Sequence, residues 1–412
     1  MFAAFRSARR KASHLAIAAA LVAGGVAVAP AASAQEFSEG FVAVYQPAAQ
    51  LAQGETPNYQ AIRPMLAQIQ AAAQTPDDKY QAGNITLITG QNLQDDALRR
   101  QGLEMMLASG KTAPDRVADF NYYVANFAFN AGDYAAARQA LNAALAAGYN
   151  DGDGDARNDP EFIILQSYFN EEDAAGGIQY LNQLNSQGKA TPTMLLLGLQ
   201  NAYDNELVSE AQDLSLLVLA QDPSERNWTN ALRIYHQLND LSPDVMTDTI
   251  RLMRDVGATV ERQELSRLVD NLDARIMGAE VVRVLDAGRA AGLYEASDPY
   301  FTETRGVAES RAAVDRRETA QLTAEGNRGS ATDAFTSANV LYSLENYAEA
   351  ERLYQRALDN GYGNADHARL RVGMAQVKQG NYDAAIANFD QVGGEAEALA
   401  AFWAAYARQL AG

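Results

Sequence analysis

The chain has 412 residues, no cysteine, and 52 acidic against 33 basic side chains, which gives a formal net charge of -19. The absence of cysteine excludes disulfides, thiolate metal sites and a cysteine nucleophile. A surface this acidic repels phosphate backbones and anionic lipid head groups, so we expect no nucleic-acid partner and no electrostatic adhesion to membranes.

The first 34 residues have the pattern of an export signal. A basic start is followed by an alanine-rich apolar run over residues 15–28, and Ala32-Ser33-Ala34 then supplies small residues for a signal peptidase. We therefore expect cleavage before Gln35 and a periplasmic or secreted mature chain. The alternative is an uncleaved anchor, although the run is short for a membrane span. The basic residues of the signal are Arg6, Arg9, Arg10 and Lys11.

Cleavage would leave 29 basic residues against 52 acidic ones, a net charge of about -23. A charge of this sign favours basic peptides or metal cations as partners, or serves solubility alone. No later stretch has roughly 18 consecutive apolar residues, so we expect no integral membrane segment after cleavage.

Good helix formers dominate the mature chain, and sustained alternation of apolar and polar residues is absent, so we predict few or no strands. Residues 35–117 form a predicted N-terminal helical region without a clear repeat. Pro76-Asp77-Asp78 has the pattern of a helix start there, because acids in the first turn favour the positive end of the helix dipole.

A repeating pattern begins at residue 118. The pattern predicts a helix over residues 120–130 and a turn at Gly132-Asp133-Tyr134. It then predicts a second helix over residues 135–147, which ends at Gly148-Tyr149. The pattern returns at 346–358 and again at 381–392. A fixed period with small and aromatic residues at the same offsets indicates a helical repeat array.

These segments resemble tetratricopeptide repeats, which are helix–turn–helix units with a period of 34 residues. The resemblance covers residues 331–392 and 118–149. It implies that certain small residues lie where the two helices of a unit cross, and that certain aromatic residues fill the space between units. The small residues are Ala137, Ala350, Gly373 and Ala385, and the aromatic residues are Tyr134, Tyr347 and Tyr382.

The chain also departs from the family pattern. The first-helix tryptophan is absent, and Tyr149 or Tyr362 stands where a proline usually ends a unit. The segment 118–223 therefore consists of degenerate repeats, with Gly177 in the small-residue place of one unit, and 224–322 of more diverged helical repeats.

Three features complete the predicted organisation. Residues 323–332, with Gly326 and Gly329, are a predicted hinge. Residues 333–412 are a C-terminal repeat pair with a final helix, around Phe402 and Trp403, that caps the apolar end of the array. The predicted fold is an all-α, right-handed superhelix, or solenoid, of stacked helix–turn–helix repeats.

Asp151, Asp153 and Asp155 resemble the start of a calcium-binding loop, because acids at alternate positions converge on one ion. The pattern departs from an EF-hand at Ala156, where glycine is required, and at Phe162, where a bidentate glutamate is required. The alternative is a solvated turn between helices.

The sequence has no motif for catalysis. His236 and His367 lack a second ligand at metal spacing, and we expect both to be structural. No glycine-flanked serine of the G-x-S-x-G kind is present. The many acids make any particular carboxylate pair uninformative. We therefore expect no catalytic residue and no cofactor apart from the calcium alternative.

The resemblance implies a concave groove that binds an extended peptide or a helix of a protein partner. Helix register places Asn121, Asn126, Asn339 and Gln376 in this groove. We expect a non-enzymatic interaction module of the bacterial cell envelope. One alternative is an exported enzyme on a helical solenoid that acts on cell-wall glycan, which requires an acid with a raised pKa in a cleft. Another is a structural role within an envelope complex.

Overall fold

The computed structural model describes residues 36–150 and 158–412, and these ranges contain helices and no strand. They form two compact units that divide after Tyr149. This boundary falls inside the segment 118–223. The predicted export signal and its cleavage site before Gln35 lie outside the described residues. Within them, no helix combines the length and the apolar character that a membrane crossing requires.

The first unit is a series of helices joined by short turns. Its helices are α1 (Glu39–Gln53), α2 (Tyr59–Ile62), α3 (Leu66–Ala72), α4 (Pro76–Leu93), α5 (Asp96–Ala108), α6 (Val117–Asn130) and α7 (Tyr134–Ala146).

The predicted helix start at Pro76 is confirmed. Thr75 accepts a hydrogen bond from the backbone N–H of Asp78, and the Asp78 carboxylate accepts one from the backbone N–H of Thr75, which completes a capping box. The same carboxylate accepts hydrogen bonds from the hydroxyl and the N–H of Ser38, the residue that caps α1. A buried acid therefore fixes two helix starts together.

The hairpin α4–α5 lies in the region predicted to be helical without a clear repeat, and its two helices pack closely. A Cβ atom on Gly102 would lie 2.5 Å from the backbone nitrogen of Leu87, and one on Gly83 would lie 2.7 Å from the carbonyl oxygen of Gly102. Only residues without a Cβ permit this approach. The facing glycines are the sequence signal for this hairpin.

The second unit contains the remaining helices. They are α8 (Pro160–Asn170), α9 (Ala174–Ser186), α10 (Pro192–Asp204), α11 (Val208–Gln221), α12 (Glu225–Leu238), α13 (Pro243–Asp255), α14 (Arg262–Leu272), α15 (Gly278–Ala290), α16 (Pro299–Arg317), α17 (Thr319–Arg328), α18 (Ala331–Ser343), α19 (Tyr347–Asp359), α20 (Ala365–Lys378), α21 (Tyr382–Phe389) and α22 (Glu397–Ala411).

Each helix of the second unit packs against its neighbour in the chain, as stacked hairpins do. The all-α repeat fold is therefore confirmed for the described residues. Gly373 lies at a helix crossing, because a Cβ there would be 2.4 Å from the ring of Phe389. Ala350 and Ala385 are fully buried. In the first unit, Ala137 is equally buried and Gly148 closes α7 at a φ of 83°.

The aromatic residues at the turns pack within their own hairpins. Tyr134 makes an edge-on ring contact with Phe129 at 5.2 Å, and Tyr347 makes one with Tyr342 at 5.1 Å. In both cases the first residue of the second helix meets an aromatic residue near the end of the first helix. These contacts close the hairpin turn, a place that the family resemblance did not assign to them.

The predicted hinge at 323–332 is mostly helical. Residues 323–328 belong to α17 and residues 331–332 to α18, so only Gly329 and Ser330 connect the two helices. Ser330 caps α18 in a capping box with Asp333. Gly326, one of the glycines on which the hinge prediction rested, is instead buried against the side chain of Leu353.

The last helix, α22, contacts α21 and α20 and also returns to α11 and α13, more than 140 residues earlier in the chain. Phe402 packs against Tyr235 with ring centroids 5.5 Å apart, and the indole N–H of Trp228 donates to Gln409 at 2.9 Å. The predicted cap therefore does more than cover an end: it joins the C-terminal hairpins to the middle of the same unit.

Candidate functional site

Helices α10, α12 and α14 are the first helices of three consecutive hairpins, and side chains join them across one face. The hydroxyl of Tyr203 donates to Gln237 at 2.9 Å, which links α10 to α12. Arg233 pairs with Glu261 at 2.7 Å at the start of α14. We call this surface the α10–α14 face.

Periodicity explains why these side chains point outward. In α12, Trp228, Leu232 and Tyr235 are buried, whereas Arg233 and Gln237 lie four residues apart on the other side. The same division holds for α14, where Leu265, Leu268 and Leu272 are buried and Arg267 is exposed.

On α10, Leu196 leaves 43% of its surface exposed, although its neighbours Leu195 and Leu199 are buried. Gln200 and Tyr203 follow on the same side at helical spacing. The face therefore combines an apolar side chain with hydrogen-bonding groups.

A cleft of about 360 Å³ lies between α12 and α14. His236 Nε2 approaches Glu264 Oε1 at 3.3 Å inside it. Burial raises the pKa of Glu264, but the neighbouring His236 and a hydrogen bond from the backbone N–H of Glu261 outweigh that effect and hold the pKa below its usual value. The cleft is lined by Arg233, His236, Gln237, Glu261, Gln263, Glu264 and Arg267.

The α10–α14 face suits recognition by hydrogen bonding. Arg267 and Gln263 are exposed, and within the described part of the chain Arg267 makes no ion pair. A guanidinium group binds carboxylates and backbone carbonyl oxygens. The face can therefore hold a peptide backbone or an acidic side chain beside the apolar contact of Leu196.

Carboxylates with a raised pKa lie away from this face, on other elements of the second unit. Burial raises the pKa of Asp255, whose side chain accepts a hydrogen bond from Lys378, and that of Asp315, which pairs with Arg311. Burial also raises the pKa of Asp213, beside Glu210 on α11.

Asn339 and Gln376, which helix register places in the groove, are engaged inside the second unit. Asn339 Oδ1 accepts hydrogen bonds from the hydroxyl of Tyr354 at 2.7 Å and from Arg371 at 3.0 Å. Gln376 is buried and donates to Glu351 at 2.8 Å. A partner that used these two amides would have to replace these internal hydrogen bonds.

Asn121 and Asn126 lie on α6 of the first unit, and both are half-buried. The side-chain amide of Asn121 donates to the carbonyl oxygen of Val117, one turn earlier in its own helix. Partner binding by either residue stays a prediction.

A buried cluster of charges, which we call the ion-pair cluster, explains why the first helices of the C-terminal hairpins are covered. Asp248 on α13 is fully buried. Its Oδ2 atom lies 2.6 Å from Arg371 Nε and 3.0 Å from His367 Nε2, and both of these residues are on α20. On its other side, Arg251 donates to the same carboxylate at 2.9 Å. Arg371, Arg251 and His367 hold the pKa of Asp248 far below its usual value, although burial alone would raise it.

The ion-pair cluster continues into α15 and α18. Arg251 donates two hydrogen bonds, of 2.7 and 2.6 Å, to the carboxylate of Glu280. Its guanidinium carbon lies 5.1 Å from the centroid of the Tyr342 ring. The backbone N–H of Glu280 donates to the hydroxyl of Ser343 at 2.9 Å. Side chains of α13 therefore cover part of α18 and α20, whereas Leu196, Gln263 and Arg267 on the α10–α14 face are exposed.

The sequence does not reveal this cluster, because His367 and Asp248 are 119 residues apart. The available signal was weak: Asp248 and Arg251 stand one helical turn apart among the apolar residues of α13. His236 and His367 both have carboxylate neighbours in the structure.

The predicted calcium ligands Asp151, Asp153 and Asp155 lie outside the described residues. In the ranges 36–150 and 158–412, no group of three or more histidine and acidic side chains is arranged to hold a metal ion.

Comparisons with known proteins give no family for this chain. No family model matches it, and no curated protein matches it. One solved structure that it matches is titled "Structure of Naa15/Naa10 bound to HypK-THB", with 11% sequence identity and a TM-score of 0.26. That match covers 87% of this chain and 65% of the other, so the chain spans less than two thirds of its length.

Proposed function

We propose that this protein is a non-enzymatic interaction scaffold of the bacterial cell envelope, and that it binds a peptide or a helix of a protein partner on the α10–α14 face. The envelope location rests on the export pattern of the first 34 residues. The binding role rests on one observation: three consecutive first helices stay uncovered and present hydrogen-bonding side chains beside an exposed leucine.

The spacing of this face fits a repeating partner backbone. Tyr203 and Gln237 are 34 residues apart, one repeat period, and meet at 2.9 Å. A partner lying across α10, α12 and α14 would therefore meet a new set of side chains in each hairpin. Stacked repeats use such extended surfaces for binding.

The charge pattern of the cleft favours binding over catalysis. Glu261 is paired with Arg233, and the pKa of Glu264 is lowered. A glycan-active enzyme needs one carboxylic acid with a raised pKa to protonate the leaving oxygen. Glu264, whose pKa is lowered, is not suited to that task at neutral pH.

Site-specific photo-crosslinking in the cells that export the protein tests the proposal. A photo-reactive amino acid would replace Leu196 or Gln263 on the α10–α14 face. The matched control is Glu309 on α16, whose side chain is 63% exposed. Mass spectrometry then identifies whatever is captured at each position.

We expect the same protein partner at Leu196 and Gln263 and its absence at Glu309. Equal capture at all three positions, or capture of none, would overturn the assignment of this face. Capture of glycan in place of protein would move the function to the enzyme alternative.

A further inference from the structure

A second cleft in the same unit, of about 660 Å³, is lined from four parts of the chain: the turn between α14 and α15, and helices α16, α17 and α18. Its volume is in the range of sites for small organic ligands. We call it the arginine cleft. Its lining residues are Arg275, Ile276, Arg311, Leu322, Glu325, Arg328, Gly329, Asp333, Thr336, Ser337 and Val340.

Three guanidinium groups from three elements face this cleft, in a chain whose net charge is -19. Arg275 and Arg328 are exposed, and neither forms an ion pair with any described residue. Arg328 donates only to the carbonyl oxygen of Ala324, within its own helix. Their remaining donors have no acceptor among the described residues.

The third guanidinium is only partly satisfied. One terminal nitrogen of Arg311 donates to Asp315 at 2.8 Å, which directs that arm into the protein. Its Nε–H is buried and has no hydrogen-bond acceptor. A ligand in the cleft would instead meet the accessible part of the Arg311 side chain, which is 38% exposed.

The two acids that line the cleft are already engaged. The Asp333 carboxylate caps α18 through the N–H and the hydroxyl of Ser330, both at 2.8 Å. Glu325 accepts a hydrogen bond from Gln321 at 2.8 Å, one turn earlier in α17. These partners are neutral, so both carboxylates keep their charge, and the lining carries three guanidinium groups against two carboxylates.

Apolar side chains lie beside these charges. Ile276, next to Arg275 in the turn, leaves 43% of its surface exposed. Leu322 is half-buried, and Val340 is buried at the cleft wall. A ligand with an apolar body would cover this surface while its charged end met the arginines.

We propose that the arginine cleft binds a small organic anion, with a carboxylate or phosphate head and an apolar body. The planar fork of arginine matches the oxygens of both heads, and charge-assisted hydrogen bonds of this kind are short and strong. This proposal is independent of the partner-binding role of the α10–α14 face.

The test is a titration of the full mature chain with octanoate and with octyl phosphate, followed by saturation-transfer NMR of the ligand. Octanol lacks the charge and acetate lacks the apolar body, so these two probes separate the contributions. The test variant is Arg275→Gln with Arg328→Gln, which breaks no ion pair. The matched control is Arg316→Gln with Arg317→Gln, a pair of exposed arginines on α16 outside the cleft.

We expect saturable binding of at least one octyl anion, weakened about tenfold or more in the Arg275/Arg328 variant and unchanged in the control, since each lost charge-assisted bond weakens affinity by about this factor. The preferred head group is the one with the lower dissociation constant. No saturable binding of either anion, equal binding by the test variant, or equally tight binding of octanol would overturn the proposal.

Discussion

Asp248 and Arg371 are 123 residues apart in the chain, and their side chains meet at 2.6 Å in the interior of the second unit. Each is at most 3% exposed, so the pair is shielded from solvent and salt. It joins α13 to α20 and thereby holds the C-terminal hairpins against the middle of the unit.

Replacing Arg371 with methionine should lower the free energy of unfolding of the second unit by about 3–5 kcal/mol, because Asp248 would lose a buried partner. Urea denaturation followed by tryptophan fluorescence measures this directly. Both tryptophans of the chain, Trp228 and Trp403, are buried in the second unit, so the signal reports on that unit.

The matched control for this variant is Arg305→Ala, which breaks a pair with Asp286 whose side chains are 30% and 47% exposed. Surface pairs of this kind contribute about 0–1 kcal/mol. Equal small losses in both variants would show that the ion-pair cluster does not hold the unit together.

The stability of the second unit should fall as the pH is lowered below about 4.5. The folded-state pKa values of Asp248 and Glu280 are held below their ordinary values of 3.8 and 4.5 by their arginine partners, against the effect of burial. Their contribution is therefore fully present above those ordinary values and is lost as the pH falls toward the folded-state values. Urea midpoints between pH 6 and pH 2 measure this.

The same pH series on the Asp248→Asn variant isolates the carboxylate. Its stability should start lower at pH 6 and fall less steeply below pH 4.5, because one of the two titrating groups is gone. Parallel slopes for the variant and the natural chain would contradict the assignment of acid sensitivity to this cluster.

Gly373→Ala should destabilise the second unit by about 1–3 kcal/mol, because its Cβ would lie 2.4 Å from the ring of Phe389 and force two helices apart. Gly363→Ala is the matched control, since a Cβ at that position meets nothing within 4 Å. Thermal unfolding of the two variants side by side gives the comparison. A control as unstable as Gly373→Ala would refute the close helix crossing.

Gln409→Ala should lower stability by about 1–3 kcal/mol, because it removes the acceptor of the buried Trp228 indole N–H. The tryptophan emission spectrum should change with it. Leu410→Ala, at a position that is 41% exposed, should leave both quantities nearly unchanged. An unaltered Gln409→Ala protein would mean that α22 does not depend on this contact with α12.

Local structure was predictable where the signal is local. The capped start at Pro76 and the glycine closure at Gly148 depend on residues within one turn of each other. The hairpins at 118–149 and 331–392 followed from a fixed period. The contact between Tyr203 and Gln237 was predictable in the same way, because one repeat period separates the two residues.

The closure of the second unit was not predictable from periodicity. His367 and Asp248 are 119 residues apart, and Trp228 and Gln409 are 181 residues apart, so no repeat relates them. Register placed Asn339 and Gln376 on a helix surface, but it carried no information on which other helix covers that surface. The groove prediction therefore named Asn339 and Gln376 but did not foresee the hydrogen-bond partners that occupy them.

The measurement that tests the account most directly is the dissociation constant of the photo-captured partner for variants of the α10–α14 face. Arg267→Glu combined with Gln237→Ala should weaken binding at least about tenfold, since it reverses one exposed charge and removes one amide. Arg317→Glu on α16 makes a matched charge reversal elsewhere and should leave binding unchanged. Equal affinity for both variants would contradict a partner site on this face.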